Sequence, residues 1–319
     1  MSIVKSKYKA PFLFRNGHVS TILPSMYREV SINYTRERIN IKDGDFLDID
    51  WLKGGNDKIV IISHGLEGNS YRHYVAGTAK LFSEQGWDAV GWNCRSCSGE
   101  MNLLPRLYSH VDAPDLSEVI DHVLASKRYQ KIAMVGFSMG GAITLNYMSR
   151  MKDHHPPELV AAVVISAPVD VSASAYELEK SKNRFYLRRF VKKMIKRIKQ
   201  KAAQFPEIID ISEVDGISTF TEYDIRYTAP LNGCENPAEF YKRASTKDRL
   251  VDINIPTLLL IAENDPFMPA SCYPYDAARD HKYFHLEVPK RGGHVGFTIK
   301  SLKYSWMEGR ALEFIQGIK

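Results

Sequence analysis

The sequence predicts an α/β fold: a mostly parallel eight-stranded sheet flanked by helices, with a helical lid inserted after the sixth strand. Three observations predict it. Short apolar runs alternate with stretches of helical periodicity, the pattern of a parallel sheet covered on both faces. One run, Lys131–Gly136, leads into Gly136-Phe137-Ser138-Met139-Gly140 and then into a helical stretch from Gly141 to Met151. Strand, G-x-S-x-G and helix in that order is the layout of a nucleophile elbow. Finally, the alternation stops between Val171 and Val251 and resumes at Ile255-Pro256-Thr257.

Taken in order, strands are expected at Val30–Ile41, Phe46–Leu52, Lys58–Ser63, Asp88–Asn93, Lys131–Gly136, Leu159–Ser166, Thr257–Ala262 and Tyr283–Val288. Lys131–Val135 and Thr257–Ala262 are short apolar runs of the kind that forms a buried strand. Helices are expected at Tyr71–Gln85, Ala113–Ser126, Gly141–Met151, Pro269–Ala278 and Ser301–Ile318. Asp112 is an expected N-cap for the second of these, with Pro114 in its first turn. Residues 1–170 and 255–319 are assigned to the core and residues 171–254 to a lid or cap. At 319 residues with 44% hydrophobic and 25% charged residues, the chain has the composition of a globular protein with a sizeable core.

Four cysteines are too few for a disulfide framework, which points to a reducing compartment. The stretch Met1–Pro11 is polar and lysine-rich, unlike a secretory leader. The longest apolar run, Leu159–Val169, is interrupted by Ser166 and is far shorter than a membrane span. A soluble, cytoplasmic protein is expected.

The net charge of +6 belongs to one segment. Eleven basic residues and no acidic one lie between Lys180 and Lys201, which leaves the rest of the chain at −5. Within it Leu187, Phe190, Val191, Met194, Ile195 and Ile198 recur at helical spacing. Such a helix can lie against an anionic membrane surface or clamp phosphates through residues 180–201. It can equally pack its apolar stripe on a core and leave its charges solvated. No nucleic-acid partner is expected.

A serine nucleophile needs a base, a group that orients the base, and donors for the oxyanion. Of the histidines after Ser138, His285 alternates within a strand pattern and His154-His155 sits beside Pro156-Pro157 in a surface-like turn. His294 follows Arg291-Gly292-Gly293 just past the last strand, where a loop can bring an imidazole over the elbow. It is the expected base under the Ser…Asp…His order. The orienting acid is expected to be Asp265, in the loop after the buried run Thr257–Ala262, with Glu263 and Asp170 as rivals.

The oxyanion donors are expected to be the backbone N–H groups of Met139, the residue after the nucleophile, and Leu66, in the loop His64-Gly65-Leu66-Glu67-Gly68. His64 precedes the serine and is expected to brace its loop. Cys94-Arg95-Ser96-Cys97 is a C-x-x-C, but it runs into a loop, and Cys234 and Cys272 are isolated. No redox, metal or cofactor role is expected.

On these residues the chain resembles the α/β-hydrolase superfamily, and more closely its YheT-like branch, which includes larger eukaryotic membrane-anchored lipases. The motifs that carry the resemblance are Arg15-Asn16-Gly17-His18-Val19-Ser20-Thr21-Ile22-Leu23-Pro24, His64–Gly68, Asn93–Glu100, Gly136–Gly141, Thr228-Ala229-Pro230-Leu231, Asn264-Asp265-Pro266-Phe267 and Gly292-Gly293-His294-Val295-Gly296-Phe297. The elbow is widespread among hydrolases; the N-terminal and Asn93–Glu100 motifs are particular to the branch. One departure is Ser96, where the family usually has glycine. The N-terminal anchor of the eukaryotic members is not expected here.

The resemblance implies Ser138, Asp265 and His294 as a triad and cleavage of carboxylic esters, short-chain or of acylglycerols and phospholipids. A serine at the elbow argues against dehalogenase and epoxide hydrolase chemistry, which needs aspartate there. Two alternatives stay open: acyltransferase, thioesterase or peptidase chemistry on the same triad, or a non-catalytic protein that binds membrane or polyanion through the basic segment.

Overall fold

A computed structural model of the chain describes residues 2–300 and 303–318. Nine strands form one sheet: β1 (Ile3–Val4), β2 (Thr35–Asn40), β3 (Phe46–Leu52), β4 (Lys58–Ser63), β5 (Asp88–Trp92), β6 (Lys131–Phe137), β7 (Leu159–Ile165), β8 (Thr257–Leu260) and β9 (Phe284–Glu287). Their order is β1-β9-β8-β7-β6-β4-β5-β3-β2. Neighbours run parallel except that β2 and β5 both pair antiparallel with β3. All eight expected strands are present. The ninth, β1, has two residues beside β9, too few to leave a periodic signal.

The helices are α1 (Gly17–Tyr27), α2 (His73–Glu84), α3 (Ala113–Ala125), α4 (Met139–Arg150), α5 (Val171–Glu179), α6 (Arg184–Gln204), α7 (Phe220–Tyr223), α8 (Ala229–Leu231), α9 (Pro237–Ala244), α10 (Tyr275–Ala278) and α11 (Trp306–Gln316). Alternate residues of each strand face opposite ways, so the sheet divides the core in two. Ile59, Ile61, Met134 and Val164 pack with Leu116, Ile120 and Ile143 of α3 and α4. Val60, Ile62, Val135 and Val163 pack with Val75 and Phe82 of α2 and with Met307 and Ile315 of α11. At about 1.5–3 kcal/mol for each fully buried aliphatic or aromatic side chain, these two layers dominate the stability of the sheet.

Four sequence expectations change. The helix α1 was not foreseen, because Gly17 opens it and Pro24 lies inside it, both helix-weakening residues. The stretch Pro269–Ala278 forms only a three-residue turn at Ala270–Cys272 and the single turn α10. Pro274 divides it, having no N–H to continue a ladder. The last helix begins at Trp306; Ser301 and Leu302, at the start of the expected span, lie outside the described residues. Asp112 occupies the N-cap position of α3 without a capping bond. Its carboxylate instead accepts from Ser109 N–H at 2.7 Å and Arg106 at 3.1 Å.

Between β7 and β8, α5 to α9 form a helical segment. Its longest helix, α6, buries Leu187, Val191, Met194 and Ile198, so the apolar stripe faces the protein. The charges divide: Lys201 is fully buried and donates to Asn102 O, Lys199 pairs with Asp215 at 2.6 Å, and Arg188, Lys192 and Lys196 are exposed. No helix among the described residues is long and apolar enough to cross a membrane.

Candidate functional site

Parallel strands deliver their following loops to one edge of the sheet. Ser63 pairs with Gly136 and Trp92, so the loop after β4 and the turn after β6 leave side by side. The loops after β8 and β9 leave at the same edge, two and three strands over.

At the turn after β6, Ser138 has φ 53° and ψ −121°, a strained conformation for a residue with a side chain. Its flanking glycines are required by space. A Cβ on Gly136 would stand 2.6 Å from Thr144 Oγ1 and 2.7 Å from Gly140 O. A Cβ on Gly140 would stand 2.5 Å from Ser63 O and closer still to His64 O. The elbow therefore wedges between the end of β4 and the first turn of α4, and Oγ is presented at the sheet edge.

Ser138 Oγ lies 2.8 Å from His294 Nε2, and His294 Nδ1 lies 2.9 Å from Asp265 Oδ2 and 3.2 Å from Oδ1. With Nδ1–H donating to the carboxylate, Nε2 is left to accept from the serine hydroxyl. Asp265 is buried and also accepts from Phe267 N–H at 2.9 Å. The Phe267 ring covers the imidazole with centroids 4.2 Å apart.

The rivals stand elsewhere. Asp170 caps α5 through Ala173 N–H and pairs with Lys247 at 2.9 Å, and Glu263 is exposed. His64 is fully buried, with Nδ1 2.8 Å from Gly65 O and Nε2 accepting from Cys94 N–H at 3.1 Å. Both ring nitrogens thus hold two loops together, and burial pushes its pKa down to about 4.

The N–H groups of Leu66 and Met139 have no hydrogen-bond acceptor among the described residues. Both residues, with Ser138 and His294, line one cavity of about 1030 Å³. Its walls are mostly apolar, from Leu107, Leu178, Phe190, Met194, Phe240 and Met268 among others. The charged groups on that wall are partnered. Glu67 meets Arg197, and Asp224 accepts from Tyr241 O–H at 2.6 Å.

Several residues support this site in roles that the sequence alone does not show. Thr21 Oγ1 of α1 accepts from His294 N–H at 2.9 Å. Asn264 Oδ1 accepts from Gly293 N–H at 3.1 Å, and Ser166 Oγ accepts from Val295 N–H at 3.1 Å. Gly293 has φ 61°, and a Cβ there would meet Gly17 O at 2.5 Å. The Arg15–Pro24 motif is thus the bed on which the His294 loop lies, a function its sequence shows only as an unexplained cluster.

Cys94 and Cys97 are free and buried, and burial raises both thiols, Cys97 to about 12. Ser96 between them has φ 62°, the left-handed conformation that glycine would adopt freely. Its N–H is accepted by Asn102 Oδ1, and its Oγ accepts from Asn102 N–H at 3.2 Å. The serine is held in the glycine-like turn by these two bonds. Among the described residues no group of three or more His, Cys, Asp or Glu is placed to hold a metal.

Comparison with known proteins agrees with this architecture. The family model for the alpha/beta hydrolase fold matches residues 58–298. The Escherichia coli (strain K12) protein named "Putative esterase YheT" is 28% identical over 311 residues, covering 95% of this chain and 91% of its own length. "Phospholipase ABHD3" of Mus musculus is 27% identical over 331 residues, covering 99% of this chain and 79% of its own. The solved structure of the Pyrococcus furiosus esterase Pf2001 shares the fold with a TM-score of 0.61 at 18% identity, over 90% of this chain and 91% of that one. The Escherichia coli and Mus musculus relatives match the YheT-like branch that the motifs resemble, and the chain belongs to the α/β-hydrolase fold family.

Proposed function

We propose that this chain is a serine hydrolase that cleaves carboxylic esters through an acyl-enzyme. The observation that carries the reading is the continuous line from Ser138 Oγ through His294 to Asp265, with contacts of 2.8 and 2.9 Å. Ser138 Oγ attacks the ester carbonyl carbon while His294 Nε2 takes its proton. Asp265 holds the Nδ1–H tautomer and stabilises the imidazolium. The carbonyl oxygen, now an oxyanion, receives the N–H groups of Leu66 and Met139, each such donor contributing about 10²–10³ in rate. Collapse breaks the C–O bond to the alcohol, which leaves with the proton from His294. Water, deprotonated by the same imidazole, then releases the acid and restores Ser138.

The apolar cavity suits an acyl chain, and residues 171–254 act as its cap, supplying Leu178, Phe190, Met194, Phe220, Leu231 and Phe240. The names of the relatives, an esterase and a phospholipase, agree with a small-molecule or lipid ester. Contact of residues 180–201 with an anionic membrane would rest mainly on charge, since Leu187, Val191, Met194 and Ile198 of α6 are buried while Phe185 is exposed. Such contact is therefore expected to weaken strongly at high salt.

The test is a chain-length series of p-nitrophenyl esters with wild type and Ser138→Ala, with and without anionic vesicles. The variant is expected to keep the wild-type circular dichroism spectrum and to lose at least about 10⁴-fold in kcat. Turnover that survives the substitution would overturn the assignment.

A further inference from the structure

A second chamber opens onto Ser138. It has a volume of about 850 Å³ and shares Leu66, Ser138, Phe190, Phe267 and His294 with the apolar cavity. Its own walls are also largely apolar, from Ile22, Tyr74, Phe185, Tyr186 and Val295, but they add cations. Arg72, from the N-cap of α2, and Arg189 and Lys193, one turn apart on α6, all line it, and among the described residues no carboxylate does. Among the described residues none of these three cations has an ion-pair partner. Arg72 donates, among the described residues, only to the Glu67 carbonyl oxygen, at 2.9 Å. The nearby Glu67 carboxylate is committed to Arg197 through two 2.9 Å bonds.

The cations feel one another. Burial lowers the Lys193 pKa, and Arg72, Arg189 and Arg197 lower it further against the pull of Glu67. Crowding like charges around a half-buried lysine is unfavourable in isolation. His73, also on this wall, has a buried Nδ1 without a hydrogen-bond partner among the described residues.

We propose that this chamber receives the alcohol side of the ester, and that the preferred substrate carries a phosphate monoester there. The inference rests on the ester-hydrolase reading and names its substrate class. Acyl chain and leaving group must extend in different directions from a carbonyl seated at Ser138, and the charged groups are partnered in one chamber while the other bears three cations without an ion-pair partner among the described residues. Three cations match a dianion better than a carboxylate. A zwitterionic choline headgroup would bring an ammonium to a wall with no carboxylate to meet it. In the reaction the C–O bond breaks, the glycerol oxygen takes the proton from His294 Nε2, and the phosphate leaves on the alcohol unchanged.

The test compares kcat/KM for three butyryl esters: butyryl-glycerol phosphate, butyryl-glycerophosphocholine and monobutyrylglycerol. A parallel arm presents a long-chain lysophosphatidic acid in phosphatidylcholine vesicles. Wild type is expected to favour the phosphate monoester by about tenfold or more, the effect of one charge-assisted hydrogen bond. Arg189→Gln/Lys193→Gln is expected to abolish that ratio. Lys192→Gln/Lys196→Gln removes the same charge from α6 outside the chamber and is expected to keep it. Activity on the soluble monoester marks a free phosphate ester as the source, and activity confined to the vesicles marks a lipid headgroup.

Calorimetric titration with glycerol phosphate reads the site without turnover. Binding that weakens about tenfold in Arg189→Gln/Lys193→Gln supports it even if no ester is cleaved, in which case only the hydrolase reading falls. Ester cleavage with no charge preference and no glycerol phosphate binding would overturn the anion site and leave the hydrolase standing.

Discussion

The guanidinium of Arg197 grips both oxygens of the Glu67 carboxylate, Nε to Oε1 and Nη2 to Oε2, each at 2.9 Å. Arg197 lies on α6 and Glu67 next to Leu66, so the fork ties the helical segment to the loop after β4. Tyr108 O–H donates to the same carboxylate at 2.7 Å, and the remaining Arg197 nitrogen donates to Ser96 O. Burial works to raise the Glu67 carboxyl, and its bonds to Arg197 and Tyr108 outweigh that effect and hold it below its ordinary value.

Arg197→Met keeps an unbranched apolar stem and removes the fork, leaving Glu67 charged and buried without its partner. A stability loss of about 3–5 kcal/mol is expected from such a broken pair, together with about tenfold lower kcat/KM as the Leu66 loop loosens. Adding Glu67→Gln should restore part of the stability. Urea unfolding of the double-mutant cycle measures this, and strictly additive losses would contradict the coupling.

Two helical glycines are expected to respond oppositely to alanine. A Cβ on Gly140 meets backbone carbonyls of β4 and its following residue, whereas one on Gly309 in α11 meets nothing within 4 Å. Gly309→Ala should stabilise by about 0.5–1 kcal/mol through helix propensity. Gly140→Ala should cost about 1–3 kcal/mol and reduce ester turnover by displacing the elbow. Thermal unfolding of both variants decides it.

Acid should weaken the protein partly through His64. Its folded pKa is about 4 because the ring is buried, while an unfolded histidine titrates near about 6.5. Between those values the unfolded state holds more protons, so this contribution is complete above about pH 6.5 and is lost as pH falls toward 4. The slope amounts to at most about 1.4 kcal/mol per pH unit. His64→Gln, compared with wild type by urea unfolding at about pH 7, 6 and 5, should show a shallower decline. Equal slopes would contradict the depressed value.

Thr21 holds the backbone of His294 from a helix 273 residues away in sequence. Thr21→Val leaves that N–H without its acceptor, at about 1–3 kcal/mol. The expected result is roughly tenfold lower kcat with little change in KM, because the imidazole loses its seat while the apolar cavity keeps its shape. A change confined to KM would contradict a positioning role for Thr21.

What could be read from sequence follows from how local each signal is. Strands β4, β6, β7 and β8 are covered on both faces, so each appears as a continuous apolar run. The elbow is contained within six residues. His294 is legible from chain order together with its place after Arg291-Gly292-Gly293 just past the last strand, because parallel strands send their loops to one edge. Other features depend on partners far apart in the chain. The pair Arg197–Glu67 spans 130 residues, and the helix α1 forms despite Gly17 and Pro24 because the His294 loop packs on it. For α6 the amphipathic pattern admits both a membrane surface and a packed helix, and tertiary contact shows Val191 and Ile198 turned inward. Of the three cations of the second chamber, Arg189 and Lys193 belong to the basic segment legible in sequence, whereas Arg72 at the N-cap of α2 joins them only through the fold.

Labelling of the intact protein with a fluorophosphonate, followed by peptide mapping, tests the serine-hydrolase reading most directly. One adduct on Ser138 is expected, absent from Ser138→Ala and strongly slowed in His294→Ala, with all three proteins folded. An unlabelled wild type, or an adduct that persists in Ser138→Ala, would contradict it.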